Sequence, residues 1–148
     1  MPEITFQKAT IEDIDAFIAI EQKSAHSYMY SNCADREDAE KELKDCEVYF
    51  IKKDGVIVGS TEYQIKEPGH AYMSGLIIDP AFQGQGIARK AIEFKLEQLK
   101  DMKRIDLVTH PHNSKVICMY LSYGFIIEAW KDNYYGDEEP RLVLALTR

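Results

Sequence analysis

Residues 75–89 read Gly75-Leu76-Ile77-Ile78-Asp79-Pro80-Ala81-Phe82-Gln83-Gly84-Gln85-Gly86-Ile87-Ala88-Arg89. Leu76 to Ile78 extend an apolar strand that runs from about Ala71, and Asp79-Pro80 ends it. From Gly86 onward the hydrophobic period changes from 2 to 3.6. Ala88, Ile92, Leu96 and Leu99 fall on one helical face, with Arg89, Lys90, Glu93 and Glu97 on the others. Between strand and helix, Gly84 and Gly86 allow positive φ and leave the backbone N–H groups unobstructed. A helix N-terminus behind such a turn offers unpaired donors and partial positive charge, a setting for a pyrophosphate. A tight turn without a ligand has the same glycines. A dinucleotide fingerprint is disfavoured, because its third glycine falls on Arg89, and no Gly-Lys-Ser/Thr of a triphosphate P-loop occurs.

Outward from that turn the chain alternates short strands and helices. Ile4 and Phe6 open a first strand. Thr10, with Asp13 three residues on, starts a helix bearing Ile14, Phe17, Ile18 and, at its polar end, Glu21. Tyr28 to Tyr30 fall in an aperiodic loop. Asp35 opens a charged helix with a thin stripe of Ala39, Leu43 and Cys46. Val48 to Ile51, the turn Asp54-Gly55 and Val56 to Ile65 form a hairpin, and Glu67-Pro68-Gly69-His70 turns into the next strand. Ile105 to Val108, a short helix from Asn113 to Gly124, and two strands (Phe125–Trp130 and Arg141–Leu146) complete an α/β order with a mixed sheet.

The chain has 148 residues, enough for one domain of roughly 100–200 residues, so residues 1–148 are expected to form a single one. Twenty-five acidic against 18 basic side chains give a net charge of −7, which argues against a nucleic-acid partner and for a cationic one. No apolar run reaches the ~18 residues of a membrane span, and the start lacks signal-peptide character, so a cytoplasmic protein without a membrane partner is expected. Cys33, Cys46 and Cys118 have neither disulfide-framework nor zinc spacing. Cys118 reads as a small packed thiol. His110 and His112 flank Pro111 and read as loop residues rather than metal ligands, so no metal is expected.

Two patterns in register resemble the GNAT N-acetyltransferase superfamily. Gln83-x-x-Gly86-x-Ala88 matches its Q/R-x-x-G-x-G/A signature, and Asn113, Tyr120 and Gly124-Phe125 match N-x(6)-Y-x-x-x-G-F. The resemblance implies an α/β (α+β mixed) fold, with about seven mostly antiparallel strands splayed at the fourth and fifth and about four flanking helices. It implies acetyl-CoA as cosubstrate. The turn from Gln83, Gly84, Gln85, Gly86, Ile87 and Ala88 to Arg89 would bind the pyrophosphate, and the backbone of Leu76, Ile77 and Ile78 the pantetheine arm. Asn113 would hydrogen-bond near the thioester, and Tyr120 would return a proton to the thiolate.

The base is less explicit in this resemblance. The glutamate some relatives place on the cofactor strand is Tyr72 here, and the Glu or His of others is Val108. Glu62 on the neighbouring strand, His110 and His112 are the other candidates. Lys131–Pro140 resembles the Tyr-Tyr loop of the branch that acetylates protein amino termini. Tyr134 and Tyr135, with Tyr28 and Tyr30 opposite, would then line a peptide entrance. The acceptor expected is a peptide or protein α-amino group. Alternatives are a small amine (polyamine, amino acid, aminoglycoside) or a lysine side chain, and, in another class, an acyl-CoA sensor without turnover. A monomer or homodimer is expected.

Overall fold

The computed structural model describes residues 2–24 and 35–148. Seven strands form one sheet in the order β1-β2-β3-β4-β5-β7-β6. They are β1 (Ile4–Lys8), β2 (Glu47–Lys53), β3 (Val56–Glu67), β4 (His70–Ile78), β5 (Arg104–Thr109), β6 (Ile126–Lys131) and β7 (Arg141–Thr147). Every neighbouring pair is antiparallel except β4 and β5. Four helices flank the sheet: α1 (Ile14–Glu21), α2 (Arg36–Asp45), α3 (Ile87–Gln98) and α4 (Ser114–Ser122). Fold class and strand count are as expected from the sequence.

Local chemistry starts and stops these elements. The Thr10 N–H donates to the Asp13 carboxylate at 2.9 Å, closing one 3-10 turn that leads into α1. The Asp35 carboxylate accepts from the Glu37 N–H at the head of α2. Asp54 and Gly55, at φ 50° and 84°, make the tight β2–β3 turn whose twist suits a two-residue hairpin.

The two sheet faces bury different cores. Phe17 and Ile20 of α1, Ala39 of α2, and Val48 and Phe50 of β2 pack on one face. On the other, Ile92 and Leu99 of α3 and Ile117 and Tyr120 of α4 pack on Ala71, Met73, Ile105 and Leu144. The buried stripe of α3 is Ile87, Ala91, Ile92, Lys95 and Leu99, not Ala88, Ile92, Leu96 and Leu99. Leu96 is only partly buried against the cluster, and Lys95 takes an apolar position. Cys118 faces solvent, correcting the packed-thiol reading, because the inward face of α4 runs through Ile117 and Tyr120.

β4 and β5 pair only from His70↔Arg104 to Met73↔Leu107. Beyond Met73 the two strands part, while β4 stays bonded to β3 and β5 to β7. The five residues from Ser74 to Ile78 thus turn an unpaired strand edge toward the gap, with backbone groups that need a partner. Among the described residues, no helix is long and apolar enough to cross a membrane.

Candidate active site

The glycine turn lies beyond the end of β4, at the head of α3. Gly84 and Gly86 adopt φ of +80° and +79°, and nothing lies within 4 Å of where a Cβ would project from either. That leaves an open concave backbone at a helix N-terminus, built to receive an anion. The Gln83 side-chain amide donates to the Ile78 carbonyl at 3.1 Å and pins the turn to the strand. Lys53 donates to the Gln85 side chain at 2.7 Å. Ile87 is buried in the core beneath the turn, Ala88 is half-buried, and Arg89 donates to the Tyr123 hydroxyl while stacking over its ring.

Where β4 and β5 part, a cavity of about 380 Å³ opens, lined by Leu76, Ile77, Val108, Asn113 and Tyr120 among others. The Asn113 amide donates to the Thr109 hydroxyl at 3.3 Å, which ties the head of α4 to the end of β5. Tyr120 is 4% exposed, packs against Phe125 with ring centroids 5.3 Å apart, and reaches this cavity. The second sequence motif thus reaches the cavity through Asn113 and Tyr120, and the glycine turn contacts the end of α4 through Arg89 and Tyr123.

The far side of the cavity is acidic. Glu62 projects from β3 and is 4% exposed, and Glu21, at the end of α1, is 2% exposed. Oxygen atoms of Glu62 and Glu42 and the Cys46 sulfur lie within 4.8 Å of one another. Cys46 donates to Glu42 at 3.5 Å, and burial, then the Glu42 charge, push the thiol up to about 12. The Glu62 carboxyl is held well above the usual carboxylate range, chiefly by burial and then by the adjoining Glu42 carboxyl. Its Oε2 has no hydrogen-bond partner among the described residues.

Lys95 reaches the same strands from the opposite face. Its ammonium donates to the Gly75 carbonyl at 3.0 Å and the Glu62 carbonyl at 3.4 Å, and burial lowers it to about 7. Gly75 is the cross-strand partner of Glu62, and a Cβ there would lie 2.7 Å from Glu62 Oε1. The glycine therefore makes room for the glutamate.

An outer cleft of about 660 Å³ continues from the cavity, sharing Glu42, Tyr72, Ser74 and Tyr135 with it. Tyr134 and Tyr135, on the loop between β6 and β7, are roughly half exposed there, their rings edge to face. The Tyr72 and Tyr135 hydroxyls approach to 3.5 Å, and burial drives the Tyr72 phenol far up. Arg141 (1% exposed) anchors the loop by donating to Asp137 at 2.8 Å and stacking on Tyr135. His110 also holds the loop. Its Nδ1 accepts from the His112 N–H, so Nε2 carries the proton and donates to Glu139 at 2.7 Å. Tyr28 and Tyr30 lie outside the described residues.

Sequence reasoning missed Lys95, Gly75 and Arg141. Lys95 alone carried a readable signal, a lysine in helical register with Ala91, Ile92 and Leu99.

A parallel strand pair that parts beside a glycine turn and helix N-terminus is the splay that the sequence resemblance implies. The chain belongs to the Acetyltransferase (GNAT) family, whose profile matches residues 14–125. A comparison with curated proteins by sequence finds no match. Among solved structures, the fold is similar to the ribosomal-protein-S18-alanine N-acetyltransferase of Escherichia coli, with a TM-score of 0.82 at 20% identity, covering 98% of this chain and 94% of that one. It is also similar to Ard1 of Thermoplasma volcanium, with a TM-score of 0.78 at 23% identity and 97% of both chains covered. A GNAT family acetyltransferase of Elizabethkingia anophelis with acetyl-CoA bound gives a TM-score of 0.76 at 17% identity over 98% of both chains.

Proposed function

We propose that the protein transfers the acetyl group of acetyl-CoA to the α-amino group of a peptide or protein, by direct attack of the amine on the thioester. The observation that carries acetyl transfer is the meeting of the unpaired β4 edge and Tyr120 at one cavity, with the open turn at Gly84 to Arg89 following the end of the same strand. The peptide reading draws support from the outer cleft and its Tyr134 and Tyr135, which offer flat, polar-tipped surfaces to a residue beyond the reacting amine.

In this reading, N–H groups of the turn and of α3 hold the pyrophosphate, and the free edge at Leu76, Ile77 and Ile78 pairs with the pantetheine arm. Asn113 hydrogen-bonds the cosubstrate near its thioester end. The amine must lose a proton before or as it attacks. Glu62 takes that proton, directly or through one water; burial and the adjoining Glu42 carboxyl raise its affinity for protons. Backbone N–H groups at the splayed edge stabilise the oxyanion. The C–N bond forms, the C–S bond breaks, and Tyr120 donates its phenolic proton to the thiolate.

Free-CoA release over a panel of amines and amino-terminal peptides tests the reading. Tyr120→Phe and Glu62→Gln are each expected to lower kcat by about 10²-fold or more, with acetyl-CoA binding retained. Unchanged kcat in both variants would remove the assigned acid and base. Binding of acetyl-CoA without turnover of any amine would favour a sensor instead.

A further inference from the structure

We propose that Glu42, Cys46 and Glu62 form a binding site for a borderline-soft divalent cation of the zinc type, and that its occupation blocks acetyl transfer. The site stands on its own geometry, while its inhibitory effect rests on the reading of Glu62 as the group that takes the amine's proton.

One oxygen of each carboxyl and the Cys46 sulfur all lie within 4.8 Å of one another. Glu42 and Cys46 are one helical turn apart, on α2 and at its C-terminal cap, and their donor atoms meet Glu62 of β3. The Cys46 sulfur and Glu42 Oε2 are 3.5 Å apart. A tetrahedral zinc ion with a thiolate at about 2.3 Å and a carboxylate oxygen at about 2.1 Å holds such a pair about 3.6 Å apart. Two ligands therefore already stand at coordination spacing. Glu62 supplies the third. It is 4% exposed, and its Oε2 has no hydrogen-bond donor among the described residues, so a buried oxygen with free lone pairs belongs to the same carboxyl.

Support for the ligands and a way in are both present. Ser74 Oγ donates to the Cys46 sulfur at 3.7 Å, an outer contact of the kind that orients a thiolate ligand. Gly75 leaves the space that the Glu62 carboxyl fills. Glu42 and Cys46 line the outer cleft, and Glu42 and Glu62 line the inner cavity. An ion thus enters by the cleft and keeps a fourth position for water on the cavity side.

The donor set selects the ion. One thiolate with two carboxylates suits Zn2+, whereas Mg2+ and Ca2+ take oxygen ligands, Ca2+ in larger number and Mg2+ with several waters retained. On binding, the S–H bond of Cys46 breaks, its proton passes to solvent and a sulfur–metal bond forms. The ion then occupies the lone pairs with which Glu62 accepts the amine's proton. Cysteine and histidine spacing does not signal this site, because two of its three ligands are glutamates and one comes from another element.

The experiment uses Cd2+ as probe on the Cys33→Ser/Cys118→Ser protein, in which Cys46 is the one remaining thiol. Thiolate-to-cadmium charge-transfer absorption in the ultraviolet is expected to saturate at one equivalent, to persist in a large excess of Mg2+ and to be displaced by Zn2+. In that background Glu42→Gln and Glu62→Gln are each expected to weaken binding about tenfold or more, and Cys46→Ser to remove the band. If Glu62→Gln does not fold, the half-buried Glu42 provides the test alone. Absence of a saturable band overturns the proposal. So does a band whose affinity Glu42→Gln leaves unchanged, the mark of a lone thiol binding the probe. In the wild type, Zn2+ is expected to inhibit CoA release competitively with the amine, and Glu42→Gln to weaken that inhibition about tenfold, which separates it from zinc held by CoA. Binding without inhibition overturns the inhibitory half of the proposal together with Glu62 as the base. Binding to a protein that releases no CoA with any amine upholds the site and removes the acetyl-transfer reading.

Discussion

Glu62 and Gly75 show how one side chain's chemistry depends on its neighbour's lack of one. They face each other across β3 and β4, and the carboxyl of Glu62 lies over the glycine where a methyl group would collide with it. Ala at position 75 would push the carboxyl off the cavity wall without disturbing the glycine turn or Tyr120. Gly75→Ala is accordingly expected to lower kcat by about 10–100-fold, the cost of a misplacement near 1 Å, with acetyl-CoA affinity retained. Paired titrations and steady-state kinetics check it, and an unchanged kcat would mean that the placement of Glu62 does not govern the reaction.

At the scale of elements, α3 joins the glycine turn to the acidic cavity. Its N-terminus is the turn, and its third turn carries Lys95 under the carbonyls of Glu62 and Gly75. Lys95 is shifted from 10.5 to about 7 by burial, so between those values the unfolded chain binds the extra proton. Stability therefore rises with pH across that window, at up to about 1.4 kcal/mol per pH unit. Glu62 acts in the opposite sense. Its folded-state value is raised, so its contribution falls as pH climbs above the ordinary carboxylate range. Denaturant unfolding between pH 7 and pH 10 should show the wild type gaining on Lys95→Met as pH rises. Parallel curves would show that Lys95 keeps an ordinary affinity for its proton.

For the whole molecule, the sheet order and the single parallel pair create the site. A sheet paired along its full length would leave β4 no free edge, and the cavity would close. An acetyl-CoA molecule held as proposed, along the turn and the β4 edge, would bind only the folded chain and stabilise it by mass action. At a hundredfold excess over Kd, about 2.7 kcal/mol is expected, a rise in Tm of roughly 5–10 °C for a domain of this size. A flat melt at saturating acetyl-CoA would remove the assignment of Gly84 to Arg89.

How much of this was legible beforehand follows from what each feature depends on. The turn from Gln83 to Arg89, the Asn113–Tyr120 spacing, the Asp54-Gly55 hairpin and the change of period at Gly86 are local, set by φ, capping and side-chain periodicity. The sequence by itself therefore determined the class of fold and the glycine turn. The acidic cavity was not legible, because Glu21, Glu42 and Glu62 come from separate elements brought together by sheet order and by helix packing on one face. In the chain Glu42 is one acid among many on a charged helix. Only the tertiary structure decided that it adjoins a buried glutamate, and that Lys95 lies inside and Cys118 outside. Burial and like-charge proximity set proton affinity and charge recognition, and both are properties of residues distant in sequence.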